Sequence, residues 1–340
     1  MAVGMRIAVM CRPRTSNGRY RAILPLRELE RRGHTILWPG HPSYGALDNG
    51  AAPKWDVLHL QQFFDEEAVK LVERARARGI AVVWDSDDNI LAAPRGSESL
   101  RQLGGRRGAR RHFKRAVEIG RRAQLLTTTN EHLAGVYREA GVEQVRVIEN
   151  HLAPQDVQHR RRRHQGLVIG ITAAEEHEPD LRKMKIGETL KALMAAHDGV
   201  RVVAIGADLK IGGHRYLHHP IVPFEQLIAT ESEWDVGLAP LRDVPFNHAR
   251  SNVKLKEYGA AGAMWLASPV GPYVGMGESQ GGLLVREGEW LEALRAVVED
   301  RDRARALAAR AREWAEGQTI RAAGSAWQAA FREAIERGRG

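Results

Sequence analysis

Three charged side chains in the segment FNHARSNVKLKEYGAAG, residues 246–262, have the spacing of one helical face. Arg250, Lys254 and Glu257 are four and three residues apart, and such residues are neighbours on a helix surface. Two cations near the start of a helix would suit a diphosphate, because helix N-termini direct backbone N–H groups at anions. The carboxylate could accept hydrogen bonds from neutral hydroxyls such as those of a ribose. The alternative is a solvated amphipathic helix with internal charge pairs.

Apolar runs alternate with amphipathic stretches along the chain, which is typical of βα units and a parallel sheet. Strands are predicted in the first half at MRIAVMC, HTILWP, WDVLHLQQ, IAVVWD, AQLLTTT and VRVIEN. The second half has LVIGIT, VRVVAIG, WDVGLAPL, AMWLAS and GGLLV, and two or three helices close the chain. The section GGHRYLHHPIVP is interpreted as a surface turn, since the adjacent His218 and His219 lack a third metal-ligand pattern.

A chain of 340 residues with 43% hydrophobic residues is long enough for about two domains. The pattern predicts an α/β fold with two Rossmann-like parallel-sheet domains facing a central cleft. The expected limits are 1–152 for the first domain, 153–165 for a linker, 166–320 for the second domain, and 321–340 for a helix that packs back toward the first. Arg160 to Arg163 are interpreted as a solvated face of the linker, with a phosphate clamp as the alternative.

Composition excludes several classes of protein. No segment reaches the roughly 18 uninterrupted apolar residues of a membrane helix, and the first residues lack the layout of a signal peptide. The single cysteine, Cys11, excludes internal disulfides and cysteine-rich metal sites. The predicted location is therefore the cytoplasm. A net charge of +9 favours polyanionic partners, and ten basic residues against two acidic ones concentrate between Arg95 and Arg122.

Three ordered motifs in the second half, DVGLAPL, FNHARSNVKLKEYGAAG and SPVGPY, resemble the nucleotide-sugar half of retaining GT-B glycosyltransferases of the family 4 type. The likeness is strongest to a phage and bacterial branch with the pattern FNxx[KR]SxxKxxEY. GITAAEEHEPDL is similar to the first loop of that half, with His177 and Asp180 in matching places. GRYRAILP, VVWDSDDNILAAP and TTTNEHLAGVYREAGVEQVRVIENHL also resemble this branch, so most of residues 5–275 is covered.

The resemblance implies that the C-terminal domain holds a nucleotide diphosphate sugar and that the N-terminal domain binds the acceptor. Lys254 and Arg250 would neutralise the leaving diphosphate without metal or other cofactor, and His177 would join them as a catalytic residue. Glu257 would hold the donor ribose. Ser251 and Asn252 would cap the helix or offer N–H groups to phosphate. The other donor-side residues expected are Asp180, Gly170 and Pro240.

One position departs from the broader family, which pairs two glutamates separated by seven residues. The first of them would fall at Ala249, and only the second, Glu257, is present. The missing carboxylate leaves the identity of the sugar and the details of catalysis open. It also supports an alternative in which the chain is a nucleotide-binding adaptor without activity.

Six residues of the first half are expected on the acceptor side of the cleft: Gly18, Tyr20, Arg21, His59, Asp87 and Asp88. DSDD at 85–88 is similar to the aspartate pair that other transferases use for a metal ion, but the GT-B likeness argues against that role. The alternatives are an Asx-turn for the aspartates, a plain βα turn at Gly18 and a packing role for His59.

The function implied by the resemblance is transfer of a sugar to an unidentified glycan, lipid-linked or small-molecule acceptor, with retention of anomeric configuration. Glycosylation of modified DNA bases ranks lower, because Phe113 is the only aromatic residue between 95 and 122 that could stack on a base. An epimerase or hydrolase is a further alternative. The basic segment 95–122 fits a nucleic acid, an anionic membrane surface with peripheral attachment, or a solvated arginine-rich helix.

Overall fold

The computed structural model describes residues 4–39, 55–159 and 164–339. Arg160 to Arg163, which were predicted to belong to the linker, lie outside the described residues. The described residues form two sheets of six strands, and every strand pair is parallel. The prediction of two Rossmann-like domains is therefore confirmed.

The N-terminal sheet has the strand order β2-β1-β3-β4-β5-β6. Every residue of β3 and β4 is buried, as expected for central parallel strands covered by helices on both faces. The strands are β1 (Arg6–Met10), β2 (Thr35–Leu37), β3 (Val57–Gln61), β4 (Ala81–Asp85), β5 (Leu125–Thr128) and β6 (Val145–Val147).

Two helices of this half begin at a side chain that caps the first turn, a few residues after a strand ends. Asp65 Oδ1 accepts from Ala68 N at 2.8 Å, and Asn130 Oδ1 accepts from Leu133 N at 2.8 Å. Between β1 and the first helix, a Cβ on Gly18 would lie 1.9 Å from Arg12 O, so this tight turn requires glycine. The helices are α1 (Ser16–Gly18), which continues through a π-helical turn (Arg19–Ile23) into α2 (Leu24–Arg31), then α3 (Glu66–Ala77), α4 (Glu98–Gln102), α5 (Gly105–Arg122) and α6 (Glu131–Glu139), with a 3-10 turn at Ile90–Ala92.

The C-terminal sheet has the order β12-β11-β10-β7-β8-β9. Its longest strands, β7 and β8, pair over seven residues each and carry the apolar core on both faces. The strands are β7 (Leu167–Ala173), β8 (Val200–Gly206), β9 (Tyr216–His219), β10 (Val236–Ala239), β11 (Met264–Ala267) and β12 (Gly282–Leu284).

The helices of this half alternate with those strands and then close the chain. They are α7 (Glu178–Lys183), α8 (Ile186–Ala196), α9 (Phe224–Glu231), α10 (Pro245–His248), α11 (Val253–Ala261), α12 (Trp290–Glu299), α13 (Arg301–Glu316) and α14 (Ile320–Arg337). Short 3-10 turns lie at Asp156–Gln158, Glu175–His177, Gly271–Tyr273 and Glu278–Gln280. Among the described helices, none is long and apolar enough to cross a membrane.

Strand β9 corrects the interpretation of GGHRYLHHPIVP as a surface turn. Residues 216–219 form the edge of the C-terminal sheet, and their side chains stay half-buried or exposed. An exposed edge strand does not show the apolar pattern by which the other strands were predicted. Its place is decided by pairing with β8, where Val203 lies opposite Leu217.

The chain crosses between the halves twice. Leu152 N donates to Gln318 O at 2.9 Å, and Ile320 N donates to Leu152 O at 2.8 Å, so the two crossings are joined. Beyond them, α14 buries Trp327 and Phe331 in the same apolar cluster as β1 of the N-terminal half. The residue limits of the domains remain predictions from the sequence.

Candidate active site

A cavity of about 670 Å³ opens between the carboxyl ends of the two sheets. The loops after β1, β4 and β5 line one wall, and those after β7, β9 and β10 line the other. Parallel α/β sheets bind ligands at this end of their strands, and the volume is in the range of small-molecule sites. The N-terminal wall includes Asn17, Tyr20, Asp87, Asp88, Thr129 and Asn150.

Helix α11 begins at the C-terminal wall of this cavity. After its first two residues the helix is buried, from Leu255 to Ala261, and a Cβ on Gly259 would lie 2.4 Å from Ala311 O of α13. The small residues of EYGAAG therefore let α11 pack closely on α13 and fix the direction of its axis. As a result, Arg250, just before the first turn, and Lys254, within it, are held at the cavity wall.

Arg250 lies at the centre of a charged group that joins both walls. Its Nη1 lies 3.3 Å from Asp88 Oδ1, and its Nη2 lies 3.3 Å from Glu176 Oε1. The same Nη2 donates to His177 Nε2 at 2.9 Å, and the guanidinium stacks on the ring of Phe246 at 5.2 Å. The cation is thus held in place by neighbours while its side chain keeps 23% of its surface exposed to the cavity.

Lys254 and Glu257 lie deeper in the cavity. Lys254 Nζ donates to the carbonyl of Thr172 at the end of β7, and Glu257 Oε1 accepts from Tyr20 Oη at 2.5 Å. Burial lowers the pKa of Lys254, while neighbouring Glu257 opposes that shift. Burial raises the pKa of Glu257, and Lys254 opposes that shift in turn. A bound diphosphate would favour the charged form of Lys254 further.

Glu231, at the end of α9, is a buried carboxyl group that the sequence reasoning missed. Its Oε1 accepts from Thr172 Oγ1 at 2.6 Å. Burial, followed by the nearby charge of Glu257, raises its pKa well above the usual value. Thr172 therefore connects Glu231 to Lys254 through its hydroxyl and its carbonyl. An acidic residue at the end of a helix is common, so the sequence carries no signal for this role.

His177 is buried beside Arg250 at the end of the loop after β7, directly before α7. Burial, followed by the charges of Arg250 and Lys254, holds its pKa well below the usual 6.5 of histidine. The neutral ring accepts the hydrogen bond of Arg250 at Nε2. Donation by the guanidinium requires this neutral form.

Replacing His177 with Gln should reduce the loss of stability in acid. Below pH 6.5 the unfolded chain protonates this histidine and the folded chain does not, so the free energy of unfolding falls as pH falls. In the variant, the free energy of unfolding should depend less steeply on pH, by up to ~1.4 kcal/mol per pH unit, because unfolding takes up about one proton fewer. Urea unfolding at pH 7.5, 6.5 and 5.5 measures it, with the exposed His214→Gln as control. Equal slopes in wild type and His177→Gln would contradict the assignment.

Asp87 and Asp88 lie on the N-terminal wall, and Gln62 contacts both of them. Gln62 Nε2 donates to Asp87 Oδ1 at 2.5 Å and approaches Asp88 Oδ2 at 3.3 Å. Asn17 Nδ2 also donates to Asp88 Oδ2, at 3.0 Å. Gln62 has a backbone φ of 55°, a left-handed conformation that glycine prefers and that recurs at functional sites. Burial, then Asp88 and Asp85, raise the pKa of Asp87 well above its usual value.

Two residues expected on the acceptor side lie in the protein core instead. Arg21 is fully buried and pairs with Asp85 at 2.8 Å. His59 is also fully buried; its Nε2 donates to Arg21 O at 3.0 Å and its ring meets Trp327 edge-on. Gly18 forms the turn described above and does not line the cavity. These three residues support the wall, while Tyr20, Asp87 and Asp88 form it.

Of the other residues expected on the donor side, some line the cavity and some do not. Ser251 lines the cavity and accepts from Asn150 Nδ2 at 3.1 Å, whereas the Asn252 side chain turns away to donate to Glu149 at 3.3 Å and does not cap α11. Asp180 is buried and accepts from Asn247 Nδ2 at 2.6 Å. Pro240 borders a small void that His177 and Lys254 also line. Gly170, in the middle of β7, lies under the ring of Trp234.

Replacing Gly170 with Ala should destabilise the protein without changing the ligand affinity of the folded form. The new Cβ would lie 1.8 Å from Trp234 Cδ2, and the tryptophan is fully buried. Overpacking of this kind costs about 1–3 kcal/mol. Urea unfolding measures the loss, with Gly277→Ala as control because a Cβ there meets no atom within 4 Å. Unchanged stability together with weakened nucleotide binding would instead support the original prediction for Gly170.

Ala249, at the position of the family's first glutamate, is buried where the two halves meet. It belongs to the apolar cluster of the N-terminal half that includes Trp84 and Tyr137. Asn130 Nδ2 secures this loop by donating to His248 O at 3.0 Å and to Arg250 O at 2.7 Å. A carboxylate at Ala249 would be buried in this cluster unless the halves moved apart.

The apolar part of the cavity was not predicted from the sequence. The end of β8 and the loop after β9 form a slot of hydrophobic side chains, and Ile221 stays 59% exposed there. The run IVPF carried a signal only in its apolar character, which a packed loop would share. The members of the slot are Ile205, Ile221, Val222, Pro223, Phe224 and Leu227.

In the part of the chain that the structure describes, no group of three or more His, Cys, Asp or Glu side chains is arranged to hold a metal ion. Asp85 is bound by Arg21 and Thr127, while Asp88 is bound by Asn17 and Arg250. The aspartates of DSDD are thus held by different partners.

No protein-family model matches the chain, and no curated protein matches it by sequence. Solved structures do match its fold. Sucrose-phosphate synthase from Thermosynechococcus elongatus is 14% identical with a TM-score of 0.67, covering 98% of this chain and all of that one. HepE from Anabaena, solved with UDP and glucose, is 13% identical with a TM-score of 0.66 over 96% of this chain and 99% of its own.

TarM is a more partial match, 11% identical with a TM-score of 0.58. The match covers 81% of this chain and 54% of TarM, so the chain spans about half the length of that protein. At these identities the likeness concerns the backbone. Two six-stranded parallel sheets that face a cleft, together with these likenesses, show that the chain has the GT-B fold.

Proposed function

We propose that the protein is a glycosyltransferase that moves a sugar from a nucleotide diphosphate donor to a hydroxyl of an acceptor, without a metal ion and with retention of anomeric configuration. The observation that carries the proposal is that Arg250, just before α11, and Lys254, in its first turn, line the same cavity as Glu257. Membership of the phage and bacterial branch rests on the sequence pattern.

In this reaction the bond between the anomeric carbon and the diphosphate oxygen breaks, and its electron pair leaves with the diphosphate. The acceptor oxygen forms the new bond, and its proton passes to the departing phosphate oxygen. Arg250 and Lys254 would stabilise the charge that develops on the leaving group. Neutral His177 would keep the guanidinium oriented through its hydrogen bond at 2.9 Å.

The donor would lie along the C-terminal wall. Glu257 would hold the ribose hydroxyls, and the base would enter the apolar slot around Ile205 and Ile221. UDP bound to HepE supports a uridine donor for this chain as well. Ser251 would face the phosphates from the same wall.

A thermal-shift screen with uridine, guanosine, thymidine and adenosine diphosphate sugars tests donor binding, because a ligand at 100 times its Kd stabilises by about 2.7 kcal/mol. We expect one base to be preferred and its effect to disappear in Arg250→Ala. Absence of any shift would contradict the proposal.

The screened donor then separates the reaction classes. A transferase needs an acceptor for rapid release of nucleoside diphosphate, a hydrolase or epimerase does not, and an adaptor binds without turnover. Ala249 is the feature that favours the adaptor. A chelator should leave the transfer rate unchanged, and complete loss would contradict metal independence. NMR of the product anomer tests retention.

Helix α5 carries a row of cations that extends this proposal to the acceptor. Within the described part of the chain, none of its four exposed members has an acidic partner, whereas Arg122 pairs with Glu73 and Glu118. They stand at spacings of three and four, which places them on one helical face. This basic row consists of Arg107, Arg110, Arg111 and Lys114.

An anionic membrane suits the basic row better than DNA. Half-buried Leu91, Phe113 and Val117 line a groove beside Arg110 and Lys114, so apolar surface adjoins the basic row. We therefore propose a lipid-linked acceptor. Vesicles with phosphatidylglycerol should retain the protein at low salt, and Arg110→Glu with Lys114→Glu should abolish retention. Reversal of the exposed Lys191 and Arg295 is the control. Retention by DNA and not by vesicles would favour the DNA alternative.

A further inference from the structure

Two groups on the C-terminal wall that would recognise the donor are already bound by the N-terminal wall. Arg250, assigned above to the diphosphate, pairs with Asp88. Glu257, assigned to the ribose, accepts from Tyr20. Each partner has the chemistry of the donor group whose place it takes: a carboxylate for a phosphate oxygen, and a hydroxyl for a ribose hydroxyl.

Asp88 can leave Arg250 without losing all of its hydrogen bonds. Its Oδ1 lies 3.3 Å from Arg250 Nη1, while its Oδ2 accepts from Asn17 at 3.0 Å and lies 3.3 Å from Gln62 Nε2. The carboxylate is 29% exposed, so the pair with Arg250 is only partly desolvated. Such pairs are weak, and a divalent diphosphate would replace Asp88 on Arg250.

Tyr20 is held beside Glu257 by a hydrogen bond and by contacts of its ring. Its hydroxyl donates to Glu257 at 2.5 Å, its ring meets Phe224 edge-on at 6.5 Å, and Arg19 lies 5.8 Å from the ring centre. Arg19 is itself held by Asp156 at 2.9 Å. The phenol is buried, and its burial together with the charge of Glu257 raises its pKa, so it remains a hydrogen-bond donor.

We propose that Asp88 and Tyr20 bind the donor-recognition groups Arg250 and Glu257 before the donor does, that the donor displaces both, and that the displaced groups then form the hydroxyl-binding site for the acceptor. This inference rests on the proposed function and adds an order of binding, donor before acceptor. Among the described residues, Arg250 is the one hydrogen-bond donor to Asp88 Oδ1, so this oxygen, once released, can accept a hydrogen bond from an acceptor hydroxyl.

The charge of the released site indicates the class of acceptor group. The charge of the site comes from the carboxylate of Asp88, which pairs with Arg250, whereas the raised pKa of neighbouring Asp87 disfavours a second charge. A bound diphosphate would add further negative charge nearby. An anionic acceptor group would be repelled at this point, so the reacting end of the acceptor is a neutral polyhydroxyl, such as a sugar or polyol. The anionic surface met by α5 would be a different part of the acceptor.

Calorimetry with two ligands, UDP and inorganic pyrophosphate, tests the displacement. Asp88→Asn should bind both ligands more tightly, by about two- to fivefold, because a partly exposed pair no longer competes for Arg250. Tyr20→Phe should tighten binding of UDP and leave pyrophosphate unchanged, because Glu257 contacts only the ribose. Asp243→Asn is the control, since Asp243 bonds to His248 and does not line the cavity.

This pattern separates the inference from general electrostatics. Unchanged or weaker binding in Asp88→Asn, or equal effects of Tyr20→Phe on both ligands, would overturn it. Binding of neither ligand by the wild type would contradict the proposed function and this inference together. Wild-type binding without the variant pattern would contradict the inference alone. Thermal melts establish that both variants are folded.

Saturation-transfer NMR with glycerol tests the acceptor site and the order. We expect transfer to glycerol only when UDP is bound, and loss of that signal in Asp88→Asn but not in Asp243→Asn. Equal transfer with and without UDP would show that the hydroxyl site exists before the donor arrives, and would overturn the proposed order.

Discussion

Replacing Lys254 with Ala should lower kcat for glycosyl transfer by about 30- to 1,000-fold, which corresponds to ~2–4 kcal/mol of transition-state stabilisation. Lys254 Nζ lies in the cavity against the carbonyl of Thr172, and burial beside Glu257 holds it there. A positioned cation contributes most when charge develops on the leaving diphosphate. The Ala variant leaves that charge without its partner.

The measurement is steady-state release of nucleoside diphosphate with the donor and acceptor in excess. Lys191→Ala is the control, because Lys191 is exposed on α8 and its replacement removes the same charge from the protein. Lys254→Arg should recover part of the rate, since it restores the charge with different geometry. Kinetics of Lys254→Ala equal to those of the wild type would contradict both the role of Lys254 and the proposed function.

Replacing Arg21 with Met should lower the free energy of unfolding by about 3–5 kcal/mol, because it leaves the carboxylate of Asp85 buried without its cation. The guanidinium donates to Asp85 at 2.8 Å, to Ile148 O, and to Asn150 Oδ1 at 3.2 Å. It also lies 4.9 Å from the ring centre of Trp327. One side chain therefore joins β4, the segment after β6, and α14.

Arg27→Met provides the matched control two turns along the same helical segment. Arg27 pairs with Glu30, but the two side chains are 61% and 39% exposed, so the loss should stay below about 1 kcal/mol. Urea unfolding at pH 7.5 measures both variants. A loss in Arg21→Met no larger than in Arg27→Met would show that Arg21 is not the support of the wall that its contacts indicate.

The elements of the fold were predictable where local pattern and burial agree. β4, AVVWD, is buried at every position, and its first four residues form a continuous apolar run. α3 follows Asp65, begins with Glu66 and Glu67 and ends with basic residues, which matches the charge preference of helix ends. β9 was not predicted, because YLHH is a half-buried to exposed edge without an apolar pattern, and only its pairing with β8 makes it a strand.

The candidate site was predictable only where a motif and an element coincide. Lys254 and Glu257 lie on α11 and line the cavity, as their helical spacing indicates. Arg250 lines the cavity from the segment before α11, so the prediction of three charges on one helical face is wrong for Arg250. Arg21 and His59 were misplaced because the position of a residue near a strand or helix end does not show which way its side chain points. Glu231 had no pattern to mark it, since its importance comes from Thr172, 59 residues away in the chain.

By itself, the amino-acid sequence determined the alternation of strands and helices, the division into two sheets and the helix that carries Lys254 and Glu257. Those properties depend on the order of apolar and charged residues within short segments. Only the tertiary structure decided which groups meet in the cleft. Tyr20 reaches Glu257 across 237 residues and Asp88 reaches Arg250 across 162, and such contacts follow from how the two halves pack. Packing is a property of the whole chain, so no local pattern specifies it.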